Sequence, residues 1–257
     1  MTIGSVVRNL EKALPMPAPA ATGVSETVLK IPVANIVYDS RKVNPGSVFV
    51  ALHGMKSDGR MFADQAIAAG AVAVVAEKAP EKAVSVPWIV VSNTRVALAC
   101  LATEYHGHPS SQLTVVGITG TNGKTTTSYL LSKIFEAAGY QCGLIGTVTY
   151  RIGGREFSST RTTPEAPDLQ GFLGEMVREG CNACAMEVSS HALALHRVSG
   201  TKFSAGIFTN LGRDHLDFHL TMEEYFSAKK RLFEMLPNDA PAAINIDDPR
   251  GLSIVEL

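Results

Sequence analysis

The sequence has 257 residues, room for one large or two modest domains, and 46% of them are hydrophobic, enough to build a core. Its 23 basic and 24 acidic side chains leave a formal net charge of −1, which gives no electrostatic case for a nucleic-acid partner. No apolar run has membrane-spanning length, so no membrane partner is expected either.

Residues 1 to about 25 read as a weak helix followed by a Pro/Ala-rich loop. The stretch Leu14-Pro15-Met16-Pro17-Ala18-Pro19-Ala20 is apolar, but its prolines spoil the core of a signal peptide, so a cytoplasmic protein is expected. From Ile36 to about Val91 the chain is strand-like and helical by turns. Ser47–Leu52 predicts a strand, Phe62–Ala69 a helix, Ala71–Ala76 and Trp88–Val91 strands, and Thr94–Tyr105 a helix. His106-Gly107-His108-Pro109-Ser110-Ser111 then breaks the pattern, which places domains at 1–110 and 111–257. The second part predicts strands near 113–118, 142–147, 182–187, 204–209 and 241–246, and helices near 124–138, 168–179 and 221–236. Such alternation predicts an α/β domain with a mostly parallel sheet, and in such sheets ligands sit at the carboxyl ends of the strands.

Cys100, Cys142, Cys181 and Cys184 lie in apolar or helix-like surroundings. Cys181 and Cys184 form a C-x-x-C that by spacing alone also fits redox chemistry, but no second pair accompanies them for zinc. Reduced thiols in or near a core are the favoured reading.

The most informative run is Gly117-Ile118-Thr119-Gly120-Thr121-Asn122-Gly123-Lys124-Thr125-Thr126, between a predicted strand and a predicted helix. A glycine-rich turn in that setting aims backbone N–H groups and a helix N-terminus at a phosphate. Lys124 can reach the β- and γ-phosphates, and the Thr125 hydroxyl can ligate Mg²⁺. Gly120 to Thr126 are the expected ATP contacts. The standard pattern wants a glycine where Ile118 stands; the glycines fall at 117, 120 and 123 instead.

Cys184-Ala185-Met186-Glu187 ends a predicted strand on a carboxylate that can hold Mg²⁺, while Ser189 or Ser190 is placed to cap the turn after it. Gly212-Arg213-Asp214-His215-Leu216-Asp217-Phe218-His219 follows the next strand. The i, i+4 histidines fit a zinc helix, but a single imidazole, His215, in a mainly oxygen-ligated Mg²⁺ site is the favoured reading. Tyr225–Phe233 predicts an amphipathic helix whose basic cluster, Lys229-Lys230-Arg231, reads by composition as a solvated face.

Taken together, these motifs resemble the Mur ligase family, and within it the UDP-N-acetylmuramoyl-tripeptide synthetases. The carrying residues are Gly120–Thr127, Thr162-Thr163-Pro164, Glu187–His191, Phe208–Leu211, Arg213–Asp217 and Tyr225–Lys229. Asp39-Ser40-Arg41, Pro45–Ala51 and Asp58-Gly59-Arg60 extend the resemblance to about residue 36. It implies an N-terminal UDP-sugar-binding domain and a P-loop-type domain for ATP and Mg²⁺. It implies an amide ligase that phosphorylates a carboxylate of UDP-N-acetylmuramoyl-dipeptide and lets an amino acid, diaminopimelate or lysine, attack the acyl phosphate. It implies that Tyr38 and Ser40 contact the UDP-sugar, that Met55, Lys56 and Ser57 fall where relatives contact uracil, and that Thr162, Thr163, Ser189 and Arg197 contact the muramoyl-peptide. Lys124, His215 and Lys229 are then the expected catalytic residues. Thr125, Glu187, His215 and Lys229 are the expected metal ligands, with Lys229 as a carbamate.

Ligases of this family run to about three domains, so the chain reads as an inactive fragment of a monomeric enzyme, lacking the domain that holds the incoming amino acid. The alternatives are the dipeptide-adding ligase, a folylpolyglutamate synthetase, or a non-catalytic nucleotide- or UDP-sugar-binding module. The Asp39-Ser40-Arg41 region argues against the folate enzyme, and the Ser189-Ser190-His191 and Arg213–Asp217 runs against the dipeptide-adding one.

Overall fold

A computed structural model describes residues 1–14, 25–54 and 58–257. The Pro/Ala-rich loop and the trio Met55, Lys56 and Ser57 lie outside the described residues. The chain divides into two units, Met1–Gly107 and His108–Leu257.

The first unit runs α1 (Ile3–Ala13), α2 (Glu26–Leu29), β1 (Asn35–Val37), β2 (Ser47–Val50), α3 (Ala63–Ala68), β3 (Ala73–Ala76), β4 (Trp88–Val90) and α4 (Thr94–Tyr105). Its four strands pair in parallel in the order β1-β2-β3-β4. Both faces of this sheet are covered, which is why every residue of β2 and β3 is buried and all but Ser47 are apolar. Val48, Val50, Ala73 and Val75 join one cluster with residues of α1 and α4. Phe49, Val74 and Ala76 join another with Ala63 and Ala66 of α3. The N-terminal helix is firmer than its sequence suggests. Thr2 and Ser5 form a capping box, and the stripe Ile3, Val6, Val7 and Leu10 is buried.

The second unit holds β5 (Thr114–Thr119), α5 (Lys124–Ala137), β6 (Cys142–Ile145), β7 (Thr149–Ile152), β8 (Arg155–Ser158), α6 (Ala166–Arg178) and β9 (Ala183–Glu187). It continues with α7 (Ser190–Ala194), β10 (Ala205–Phe208), α8 (Leu216–His219), α9 (Met222–Glu234), β11 (Ala242–Ile244) and α10 (Pro249–Val255). The strand order is β11-β10-β5-β9-β6-β7-β8. Pairing is parallel from β11 to β6 and antiparallel through β7 and β8. This mixed α/β architecture, with its parallel core, is the class read from the sequence. The β7–β8 hairpin and α10 were not. Both are short, and every residue of β8 is exposed, so neither leaves an apolar period to read.

Parallel pairing of β10, β5 and β9 brings their carboxyl ends side by side. The loops that leave them carry Gly120–Gly123, Val188–Ser189 and Thr209–His215. No helix among the described residues is long and apolar enough to cross a membrane. The four cysteines are free thiols. Burial pushes the Cys142 thiol up to about 11 and raises Cys184 well above the ordinary thiol value, which keeps both protonated and unreactive.

Candidate functional site

The phosphate-type loop is built from both sides. Gly117 stands where a Cβ would sit 2.8 Å from a methyl of Leu232 and 2.9 Å from the Phe203 ring, so α9 packs directly on β5. Gly120 has φ +146°, and a Cβ there would lie 1.9 Å from Thr209 Oγ1. Gly123 opens α5 in the left-handed region, φ +84°. Ile118, in the position where the standard pattern has glycine, is fully buried.

A second loop clamps the first. The Thr121 N–H donates to Asn210 O (2.9 Å), the Asn122 N–H to Asn210 Oδ1 (3.0 Å), and Thr209 Oγ1 to Asn122 O (2.7 Å). Gly212 N–H donates to Thr121 Oγ1 (2.9 Å), which also lies 3.3 Å from Gly212 O and 3.1 Å from Tyr225 Oη. Five loop residues, Thr121, Asn122, Thr209, Asn210 and Gly212, are thus tied together without a regular helix or strand, as an anion cradle requires.

Lys124 folds back onto this loop and donates to Gly120 O (2.8 Å) and Thr121 O (2.7 Å). Burial lowers its pKa. Thr125 Oγ1 donates to Glu187 Oε2 at 3.0 Å. Glu187 is wholly buried at the end of β9. A hydroxyl and a carboxylate oxygen this close, beside a phosphate-type loop, are the hard oxygen donors that Mg²⁺ prefers.

Lys229 is not the solvated residue its composition suggests. It is 1% exposed, donates to Gly120 O at 2.7 Å and sits 4.4 Å from the centre of the Tyr225 ring. Burial first, and then the charge of Lys124, bring its pKa down to about 7. Lys230, on another face of α9, is half-buried.

His215 caps the short helix α8 in the left-handed conformation, φ 52°. Its ring meets His191 edge-on with centroids 4.7 Å apart. His219 lies at the other end of α8 and is 4% exposed, its ring against Phe218, Tyr225 and His191. Burial, reinforced by His191 and Lys229, holds its pKa down at about 4. The i, i+4 pair therefore divides its environments: His215 lines the pocket and His219 joins the packing beneath.

Thr121–Thr125, Thr147, Thr162, Glu187, Ser189, Ser190, His215 and Lys229 line one pocket of about 240 Å³. Ser189 is the cap of α7, accepting from Ala192 N–H at 3.2 Å. Thr163 is 1% exposed and spends its hydroxyl on Glu187 O (2.9 Å), so it ties the loop before α6 to the end of β9. Arg197 does not line the pocket; its Nε stands 2.9 Å from Glu165 Oε1 and a terminal nitrogen donates to Thr163 O. Tyr38 and Ser40 belong to the first unit. Ser40 donates to Gln65 Oε1 at 3.1 Å, beside an Asp39–Arg41 pair that holds the Asp39 carboxyl down at about 2. Sequence reasoning gave no role to Thr147 or Glu165. Neither belongs to a spaced motif, and the bonds that mark them, Thr147 to Glu187 and Arg197 to Glu165, are non-local.

Residues 118–256 match the family described as Mur ligase middle domain, and residues 32–106 the one described as Mur ligase family, catalytic domain. A relative from Alkaliphilus metalliredigens (strain QYMF), UDP-N-acetylmuramoyl-L-alanyl-D-glutamate–2,6-diaminopimelate ligase, is 48% identical over 227 residues, 88% of this chain and 46% of the relative. A solved structure of a ligase of that name aligns over 100% of this chain and 49% of its own, with a TM-score of 0.79 and 27% identity. The MurF ligase of Thermotoga maritima in complex with ADP aligns over 86% of this chain and 48% of its own, with a TM-score of 0.60 and 26% identity. The chain spans about half the length of the curated relatives it matches.

Proposed function

The chain belongs to the Mur ligase family, and on that premise we propose that it serves an ATP-dependent amide ligase of the diaminopimelate-adding type. Such an enzyme extends UDP-N-acetylmuramoyl-L-alanyl-D-glutamate by its third amino acid in peptidoglycan synthesis, as a cytoplasmic monomer. The observation that carries the reading is the single pocket in which Lys124, Thr125, Glu187, His215 and Lys229 converge at the ends of β5 and β9.

The chemistry sets anion against anion. A substrate carboxylate attacks the γ-phosphorus of ATP, ADP leaves, and an acyl phosphate forms. The amine of the incoming amino acid then displaces phosphate to give the amide. Positioning and charge neutralisation supply most of the catalysis in such transfers. Lys124, already beside the loop, moves its charge from two carbonyls to the phosphates. The N–H groups of the Gly120–Gly123 turn and the start of α5 complete the cradle.

Mg²⁺ fits the oxygen pair of Thr125 and Glu187, with His215 and Lys229 as further ligands, and when bound it neutralises phosphate charge. An ammonium at Lys229 would repel it; a carbamate there would offer oxygen. Thr162 and Ser189, which line the pocket, serve the peptide end of the acceptor, while Thr163 and Arg197 brace its wall through Glu187 O and Glu165. Tyr38 and Ser40 of the first unit serve the UDP-sugar.

Calorimetry tests the reading. The chain should bind the Mg²⁺ complex of a non-hydrolysable ATP analogue and, separately, UDP-N-acetylmuramoyl-L-alanyl-D-glutamate. Lys124→Ala should abolish the first heat and leave the second. A folded chain that gives no heat with either ligand at millimolar concentration would overturn it.

A further inference from the structure

Glu187 has no freedom in this pocket, and one residue accounts for most of that. Its Oε1 accepts the Thr147 N–H at 2.9 Å, and its Oε2 accepts both Thr147 Oγ1 and Thr125 Oγ1 at 3.0 Å. Two of the three donors come from Thr147. The fold delivers that residue through register: β6 pairs in parallel with β9, Ile145 beside Met186, so the turn leaving β6 runs alongside Glu187. Gly146 lets it come close, since a Cβ there would lie 2.4 Å from Glu187 Oε1.

Thr147 Oγ1 is also 3.0 Å from Thr162 Oγ1. Proton counting fixes the direction of that contact. A hydroxyl has one proton, and an ionised carboxylate only accepts. Thr147 therefore gives its proton to Glu187 and accepts the proton of Thr162. The result is a directed chain, Thr162 to Thr147 to Glu187, from the acceptor end of the pocket to its carboxylate. Hydrogen bonds in such a chain polarise and strengthen one another.

We propose that Thr147 is a positioning residue that holds Glu187 for a divalent cation and links cation affinity to the state of Thr162. The proposal rests on the reading of this pocket as a Mg²⁺–nucleotide site. Partners that orient a metal-binding side chain carry about a tenfold to hundredfold effect on metal affinity when removed. Thr147→Val keeps the shape and the N–H and removes only the hydroxyl. Thr147→Ser keeps both donors.

The test is Mn²⁺ binding to the ATP-loaded chain, followed by electron paramagnetic resonance, with ATP binding in EDTA and a thermal melt as controls. Thr147→Val should weaken Mn²⁺ binding about tenfold, while Thr147→Ser stays within about twofold of wild type. ATP binding without metal should be unchanged in both. Thr162→Val should weaken Mn²⁺ binding by a smaller factor, and should add nothing to Thr147→Val because the chain is already cut. Wild-type affinity in folded Thr147→Val, or a serine variant as weak as the valine one, overturns the proposal alone. A wild-type chain that takes up no Mn²⁺ with ATP overturns the reading of the pocket, and this proposal with it.

Discussion

Lys124 and Lys229 donate to the same acceptor, the carbonyl oxygen of Gly120, at 2.8 and 2.7 Å. Two ammonium groups on one oxygen, both withdrawn from water, oppose each other's charge. Burial first, and then the charge of Lys124, brings the pKa of Lys229, the more buried of the two, from 10.5 down to about 7. In the unfolded chain it titrates near 10.4. Between these values the unfolded state holds one more proton than the native state, so stability gained from this group rises with pH and is lost as pH falls toward 7. Relative to Lys229→Met, wild type should gain stability by up to about 1.4 kcal/mol per pH unit from pH 7 to pH 10. Urea melts of both proteins in metal-free buffer purged of bicarbonate measure it. Parallel curves would show that Lys229 titrates normally.

The loop's glycines are not equivalent. Gly120→Ala drives a Cβ into Thr209 Oγ1 and forces a residue at φ +146°, so the clamp of Thr209 on Asn122 must open. Gly123→Ala meets nothing nearer than 3.9 Å and carries only the left-handed backbone, which costs about 1–2 kcal/mol. Gly120→Ala should therefore be the more destabilising in denaturant melts, and should lose nucleotide binding as well. Equal melting points for the two variants would mean that the two loops are not clamped.

Lys124→Ala and Ile118→Val separate binding from folding. Among the described residues Lys124 donates to two loop carbonyls, so its loss should remove triphosphate affinity and leave the melt nearly unchanged. Ile118 is wholly buried in β5, level with Glu187 on one neighbour strand and Ile207 on the other. Removing one methyl should cost about 1 kcal/mol and leave affinity intact. A loss of affinity in folded Ile118→Val would show that its side chain shapes the loop directly.

The sequence made the parallel core legible because β5, β9 and β10 are apolar runs that each end on a polar motif. Lys124, Thr125, Glu187, His215 and Lys229 could be singled out for the same reason, or through family resemblance, and one pocket gathers them. The burial of Lys229 could not be read from composition, since it depends on which face of α9 meets β5. The Glu165–Arg197 pair and the Thr147–Glu187 bonds join residues 32 and 40 apart, and no local pattern records a contact at that range.

His219 supplies an acid-side counterpart to Lys229. Its ring is packed against Phe218 and Tyr225, and its pKa drops from 6.5 to about 4, chiefly through burial. The unfolded chain takes up this proton near pH 6.5, while the native state resists until about pH 4. Stability from the neutral imidazole is therefore full above pH 6.5 and is lost as pH falls toward 4. His191, also lowered, adds a smaller share in the same direction. Replacing His219 with phenylalanine keeps an aromatic ring in place and removes the titration. The variant should lose stability less steeply than wild type between pH 6.5 and 4.5, by up to about 1.4 kcal/mol per pH unit, the linkage limit for one proton. Groups that do not interact with His219 cancel in the difference, which therefore reads this ring and its coupling to His191. Proton resonances of the His219 ring give an independent value, and a midpoint near 6.5 in the folded chain would show that water reaches it.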